Sequence, residues 1–151
     1  MHPEIHVSCL SVLTAAVASF FFSFLWHGPL FGKKWAGLMG FAFDPETCGK
    51  PNQKMMFRGM ALSLVGAVLT AFVLVHSTNA WRPSVWGAGT DSPWYIYGFF
   101  SGFFTWLGFY VPAQLNTVAW EKRKWELFCL NSAFHFLNLQ IMAMVVAGCY
   151  S

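Results

Sequence analysis

Residues 92–120 read SPWYIYGFFSGFFTWLGFYVPAQLNTVAW, 29 positions without one charged side chain. A helix rises about 1.5 Å per residue, so about 20 apolar residues cross a hydrocarbon core of about 30 Å. Three further uncharged runs meet the same length: Ile5 to Gly32 (28 residues), Gly59 to Trp81 (23) and Leu127 to Ser151 (25). Four membrane-spanning helices are therefore expected.

Composition points the same way. Of 151 residues 56% are apolar, 19% aromatic and only 10% charged, whereas soluble domains carry about 25% charged residues. A soluble bundle would show a polar stripe on each helix, and an outer-membrane barrel would show alternating segments of about ten residues. Neither pattern is present. Ala16-Val17-Ala18 resembles a signal cleavage site, but no Lys or Arg precedes the first run and the apolar stretch continues through Phe20 to Trp26, so the segment is read as a retained helix.

Charges and breakers place the helices at approximately 8–26, 57–76, 94–111 and 127–150, joined by basic loops 27–56 and 112–126. Lys33, Lys34, Lys50, Lys54 and Arg58 lie in or beside the first of these loops and Lys122, Arg123 and Lys124 in the second, against Arg82 alone between the middle helices. Basic residues stay on the cytoplasmic side. The predicted fold is one all-α transmembrane domain with both termini outside, in a bacterial inner membrane or a eukaryotic organelle membrane, where the basic side becomes matrix or stroma. Loop one, with Trp35, Leu38, Met39, Phe41 and Phe43, should lie in the interface, and Asp44-Pro45-Glu46 reads as a one-turn helix start.

Tryptophan marks the interfaces. Trp26, Trp35, Trp81, Trp86, Trp94, Trp120 and Trp125 fall at predicted helix ends or in loops, as expected of an anchoring belt, because an indole buries its ring while its N–H reaches headgroups. Gly98, Ser101, Gly102, Thr105 and Gly108 give the third helix a face with little side-chain bulk, which lets another backbone approach closely. Ser63, Ala67 and Ala71 offer the second helix a similar seam. A short internal echo also runs through the chain: Phe24-Leu25-Trp26 before Gly28-Pro29 and Lys33-Lys34-Trp35, and Phe104-Thr105-Trp106 before Gly108, Pro112 and Lys122-Arg123-Lys124-Trp125.

The segment Trp26-His27-Gly28-Pro29-Leu30-Phe31-Gly32-Lys33-Lys34-Trp35, followed by Gly40, resembles the first signature of a bacterial and eukaryotic membrane family, domain-of-unknown-function family 1761. Trp106-Leu107-Gly108-Phe109, Pro112, Asn116 and Glu126-Leu127-Phe128-Cys129-Leu130-Asn131 resemble its second. The resemblance covers nearly the whole chain and implies a four-helix membrane fold. It brings no activity with it. Relatives usually carry Tyr where His27 stands.

Polar side chains inside a membrane are costly and face the bundle interior. Asn131, His135 and Asn138 share one face of the last helix by their spacing of four and three, with Gln140 to the side. His27 ends the first helix near the same cytoplasmic side and could meet His135 if the two helices pack together, whereas His76 lies at the opposite end. Asn116, Asn131, His135, Asn138 and His27 are thus the candidate ligand-binding set, with Pro112 as a helix break, and His27 with His135 the candidate pair for a haem or metal. Cys9 and Cys149 map to the outer helix ends and are the candidate disulfide, while Cys48 and Cys129 are expected as thiols.

Three functions follow from these features. The first is a non-enzymatic packing or assembly module, a homo-oligomer or a subunit of a membrane complex, carried by the small-residue faces. The second is a binding or carrier bundle for a small or lipid-like molecule, and the third a His-ligated redox protein. Acid–base pairs, phosphate loops and serine-nucleophile motifs are missing from the sequence, so an enzyme is not favoured. No cofactor and no nucleic-acid partner is expected. The short basic loops are explained by topology and anionic lipid.

Overall fold

The computed structural model describes residues 7–40 and 53–150. The loop-one features at Phe41, Phe43, Asp44, Pro45, Glu46, Cys48 and Lys50 lie outside these residues, as do the first six residues and Ser151.

Every regular element among the described residues is helical. Helix α1 (Cys9–Leu25) starts where the Ser8 hydroxyl caps the Ser11 N–H at 3.5 Å, satisfying one of the orphan donors of a helix start. It runs into a wide π turn, Trp26–Leu30, and then the short α2 (Gly32–Met39), which stops at Gly40 in the left-handed region at φ 79°. Helix α3 spans Gln53–Ala80. After a 3₁₀ turn at Pro83–Trp86, α4 (Trp94–Thr105), a second π turn (Trp106–Tyr110) and α5 (Val111–Glu121) form one continuous helical path. Lys122, in the left-handed region at φ 55°, turns the chain through three lysine and arginine residues into α6 (Trp125–Gly148).

Three stretches are long and apolar enough to cross a membrane: Cys9–Leu30, Phe57–Ala80 and Trp125–Gly148. The path from Trp94 to Glu121 is helical throughout but is divided into pieces of 12, 5 and 11 residues. Three sequence expectations are corrected here. The loop expected at 112–126 is mostly α5, so only Lys122–Lys124 connects it to α6. Pro112 does not break the helix: a proline lacks the N–H and crowds the carbonyl four residues back, but the π turn before it opens the spiral by one residue at that place. Within 27–56, α2 replaces part of the expected loop.

Helix α6 is the hub, packing against α4, α1 and α3 and more lightly against α5 and α2. Its Leu139, Met142, Ala143 and Val146 meet Val12 and Ala15 of α1 and Ala71, Leu74 and Val75 of α3 in the main core. A second cluster joins Trp26 to Leu130 and Phe134, with Phe22 and Phe31 around it. Trp26 is therefore a core residue, 7% exposed, and not an interfacial anchor. Trp81, Trp120 and Trp125 do remain exposed. Helix α3 joins the bundle only through its second half, since Phe57 to Gly66 are exposed at every position.

The two π turns face α6 from different sides. Trp26 opens one and lies 5.9 Å from the Phe134 ring. Trp106 opens the other, donates its indole N–H to the Ser132 carbonyl at 3.0 Å and meets Phe136 edge-on.

At the end of the bundle remote from the lysines, Arg82 donates through both terminal nitrogens to the Tyr150 carbonyl at 3.0 Å and pairs with Asp91 at 3.2 Å. The Tyr150 hydroxyl accepts from the Ser8 N–H at 2.6 Å, so one clasp gathers the start of α1 and the ends of α3 and α6. Cys9 and Cys149 flank this contact as exposed, unbonded thiols. A slight desolvation pushes the Asp91 carboxyl up, but bonds from the Ser84 N–H and hydroxyl and the charge of Arg82 outweigh it and hold it below the usual range. A carboxyl depressed in the folded state contributes stability above its unfolded value of about 3.9, and that contribution disappears as pH falls through the folded value. The stability gap between wild type and Asp91→Asn should therefore be full at pH 6 and close towards pH 3. Thermal melts in detergent at the two pH values measure it, and a gap that does not change with pH contradicts the assignment.

Candidate functional site

Between α1, the open half of α3, the second π turn and α6 lies a cavity of about 310 Å³, at the lower end of the usual range for small-molecule sites. Each helix contributes one stripe. On α1, Ser19, Ser23 and His27 recur every four residues; on α3, Ser63, Ala67 and Thr70 do so at four and three; on α6, His135, Asn138 and Met142 do so at three and four. Tyr110 closes one side, its ring 4.5 Å from that of His135. Phe134 lies between the imidazoles, 4.6 Å from His27 and 5.1 Å from His135.

The chemistry of the wall follows from its hydrogen bonds. His27 Nδ1 lies 3.2 Å from the Ser23 carbonyl. A carbonyl only accepts, so Nδ1 carries the proton, and Nε2 of the neutral ring is left as an acceptor. The Asn138 Nδ2 makes only a long contact of 3.7 Å to the Met142 sulfur, while its Oδ1 is enclosed without a donor. A buried acceptor left unsatisfied costs about 1–3 kcal/mol. Among the described residues, no Asp, Glu, Lys or Arg lines this cavity.

Of the residues singled out in the sequence, His27, His135 and Asn138 come together here. Asn131 does not: its amide points to Gln114 of α5 at 3.5 Å. Asn116 is exposed on α5, because the segment expected as a loop is a helix whose other side carries Gln114 and Thr117 inward. Gly98, Ser101 and Gly102 are buried on α4, with Gly98 against Ala143, Met144 and Ala147 and Gly102 against the Gln140 side chain. Thr105 is half-buried in a larger, mostly apolar groove of about 640 Å³ between α3 and the second π turn, and Gly108 has nothing within 4 Å of a Cβ. That groove shares Thr70 and Tyr110 with the polar cavity.

Sequence reasoning passed over Ser19, Ser23, Ser63, Thr70 and Tyr110 as site residues, although the Ser19-Ser23-His27 stripe was visible as a four-residue repeat. It also set Gln140 aside, whose amide donates across to the Phe99 carbonyl at 3.3 Å. No group of three His, Cys, Asp or Glu side chains able to hold a metal occurs among the described residues. Two imidazoles without such a third ligand serve as hydrogen-bonding wall more readily than as a metal centre.

Fold and cavity together define an all-α protein with membrane-length helices beside a small, partly open cavity that brings two histidines and an asparagine together. The chain belongs to the family described as Protein of unknown function (DUF1761), whose sequence model covers residues 10–147. No curated protein and no solved structure matches it.

Proposed function

We propose that the chain crosses the membrane four times, both termini on the outer side and the lysine-rich turns on the cytoplasmic or matrix side, and that it binds a small neutral molecule that offers hydrogen-bond donors. The observation that carries this reading is the enclosed, donorless Asn138 Oδ1 beside His27 and His135 in an uncharged cavity. A ligand hydroxyl or amine reaching Asn138 and the His27 Nε2 would supply the missing donors. An anion or cation would find no counter-charge there, and burying it would cost far more than burying a neutral group. Entry is from the bilayer, past the half of α3 that no other helix covers. Gly98 and Gly102 of the α4 small-residue face, which suggested an assembly module, lie against α6 within the chain.

Solvent extraction of the protein purified in mild detergent, followed by mass spectrometry, tests this. A neutral hydroxyl- or amine-bearing molecule should co-purify with wild type and fall roughly tenfold or more in Asn138→Leu, since one lost bond of about 1.4 kcal/mol is a factor of ten. Equal recovery from both proteins, or recovery of nothing but detergent and bulk lipid, defeats the reading.

A further inference from the structure

A third concavity, of about 460 Å³, lies at the lysine-rich end of the bundle, where the spans Cys9–Leu30 and Trp125–Gly148 meet. Its floor is Trp26, Phe31 and Leu130, and its rim carries Lys34 from α2 and Trp125 and Glu126 from the first turn of α6. Lys34 and Glu126 are exposed and make no ion pair with each other. The groove thus presents one cation donor and one carboxylate, held apart over an aromatic floor. The Trp26 indole N–H is enclosed in that floor without an acceptor, unlike Trp106, which donates to Ser132 from the other π turn.

We propose that this groove is a binding site for a zwitterionic phospholipid headgroup, a phosphate joined through two carbons to an ammonium. Lys34 holds the phosphate as a point charge. Glu126 accepts from the ammonium, with the face of Trp125 beside it. The glycerol and upper acyl chain lie on Phe31 and Leu130. Charge complementarity selects this class: an anionic lipid without an amine would set its extra polar surface against Glu126, and a cationic amphiphile would meet Lys34. The depth also fits, because both flanking helices end here and Trp125 stands at the level of headgroups. The proposal rests on the ends of α1 and α6 and not on what fills the histidine cavity.

Native mass spectrometry of the delipidated full chain, titrated with phosphatidylethanolamine or phosphatidylglycerol of identical acyl chains, reads the site directly. Wild type should retain several-fold more phosphatidylethanolamine. Lys34→Ala should lower binding of both lipids, whereas Glu126→Gln should erase the preference by raising phosphatidylglycerol retention, a change that damage to the fold would not produce. Equal retention of the two lipids by wild type, or an unchanged preference in Glu126→Gln, overturns the proposal. Soluble glycerophosphoethanolamine should fail to displace the bound lipid at equal concentration. Displacement would overturn a membrane lipid as the occupant.

Discussion

Gly98→Leu should lower the stability of the protein by about 3 kcal/mol or more, and this is the largest effect expected of a single substitution in the bundle. A Cβ at this position would stand 3.1 Å from the Ala147 Cβ and the Met144 sulfur and 3.2 Å from the Ala143 carbonyl oxygen. Two of those three atoms belong to a backbone or to a side chain with no rotatable bond, so the strain cannot be relieved by a rotamer change. Helices α4 and α6 would have to separate. Gly102 is the informative contrast. Its nearest neighbours are the terminal atoms of Gln140 at 3.1 to 3.2 Å, and a flexible amide can swing away, so Gly102→Ala should cost about 1 kcal/mol, largely the hydrogen bond from Gln140 to Phe99. Gly108→Ala meets open space and should be neutral. Thermal unfolding in one detergent, with the three variants ranked, decides the matter; equal melting temperatures for Gly98→Leu and Gly108→Ala would show that the α4–α6 contact does not hold the fold together.

Gly32→Ala should disrupt the first π turn, with a loss of roughly 2–3 kcal/mol and a displaced His27. The turn is closed by the bond from the Phe31 N–H to the Trp26 carbonyl at 2.9 Å, which is one residue wider than an α-helical bond. That geometry brings the Gly32 α-carbon onto the His27 carbonyl, where a methyl group would collide with the carbonyl oxygen. The obstacle is backbone, and the backbone that must yield is that of the cavity histidine. Gly28, four residues earlier in the same signature, has nothing within 4 Å. Gly28→Ala should therefore be neutral or slightly stabilising, since alanine is the better helix former by up to about 1 kcal/mol. Melting temperatures and recovery of the co-purifying molecule, read on both variants, separate the two glycines. A more damaging effect of Gly28→Ala would contradict a π turn that closes against Gly32.

The sequence disclosed the long helices but neither α2 and α5 nor which faces meet, and for the faces the reason is physical. In a soluble protein the contrast between polar and apolar faces tells which side of a helix is buried. Where the surroundings are hydrocarbon, the outward face is as apolar as the inward one, so Phe21 and Phe24 on the outside of α1 read like the core residues Val12 and Ala15. Only polar residues break the symmetry. His135 and Asn138 were placed together for that reason, and His27 was set on their side of the membrane, its contact with them depending on which helices pack together. Asn131 was grouped with them by its four-residue spacing, and Asn116 beside the break expected at Pro112; the wide turn ahead of that proline lets the helix run on, with Asn116 outward and Asn131 towards Gln114. The hydroxyl stripes of α1 and α3 were legible in spacing but ambiguous, since a membrane serine can satisfy itself on its own backbone, as Thr14 and Thr70 do with the carbonyls four residues back.

The two π turns have a consequence for how such a chain can change over time. Each holds one residue more than a regular spiral requires, so each is a built-in insertion. Losing that residue would let the ladder close normally, yet everything after it would swing by about 100° around the axis, the angular share of one residue in 3.6. Downstream of Trp26 that rotation would carry Lys34 off its groove; downstream of Trp106 it would carry Gln114 away from Asn131. Length is thus more tightly constrained at these two points than residue identity is, and single-residue gaps there would be far less tolerable than substitutions on the outer faces of the same helices.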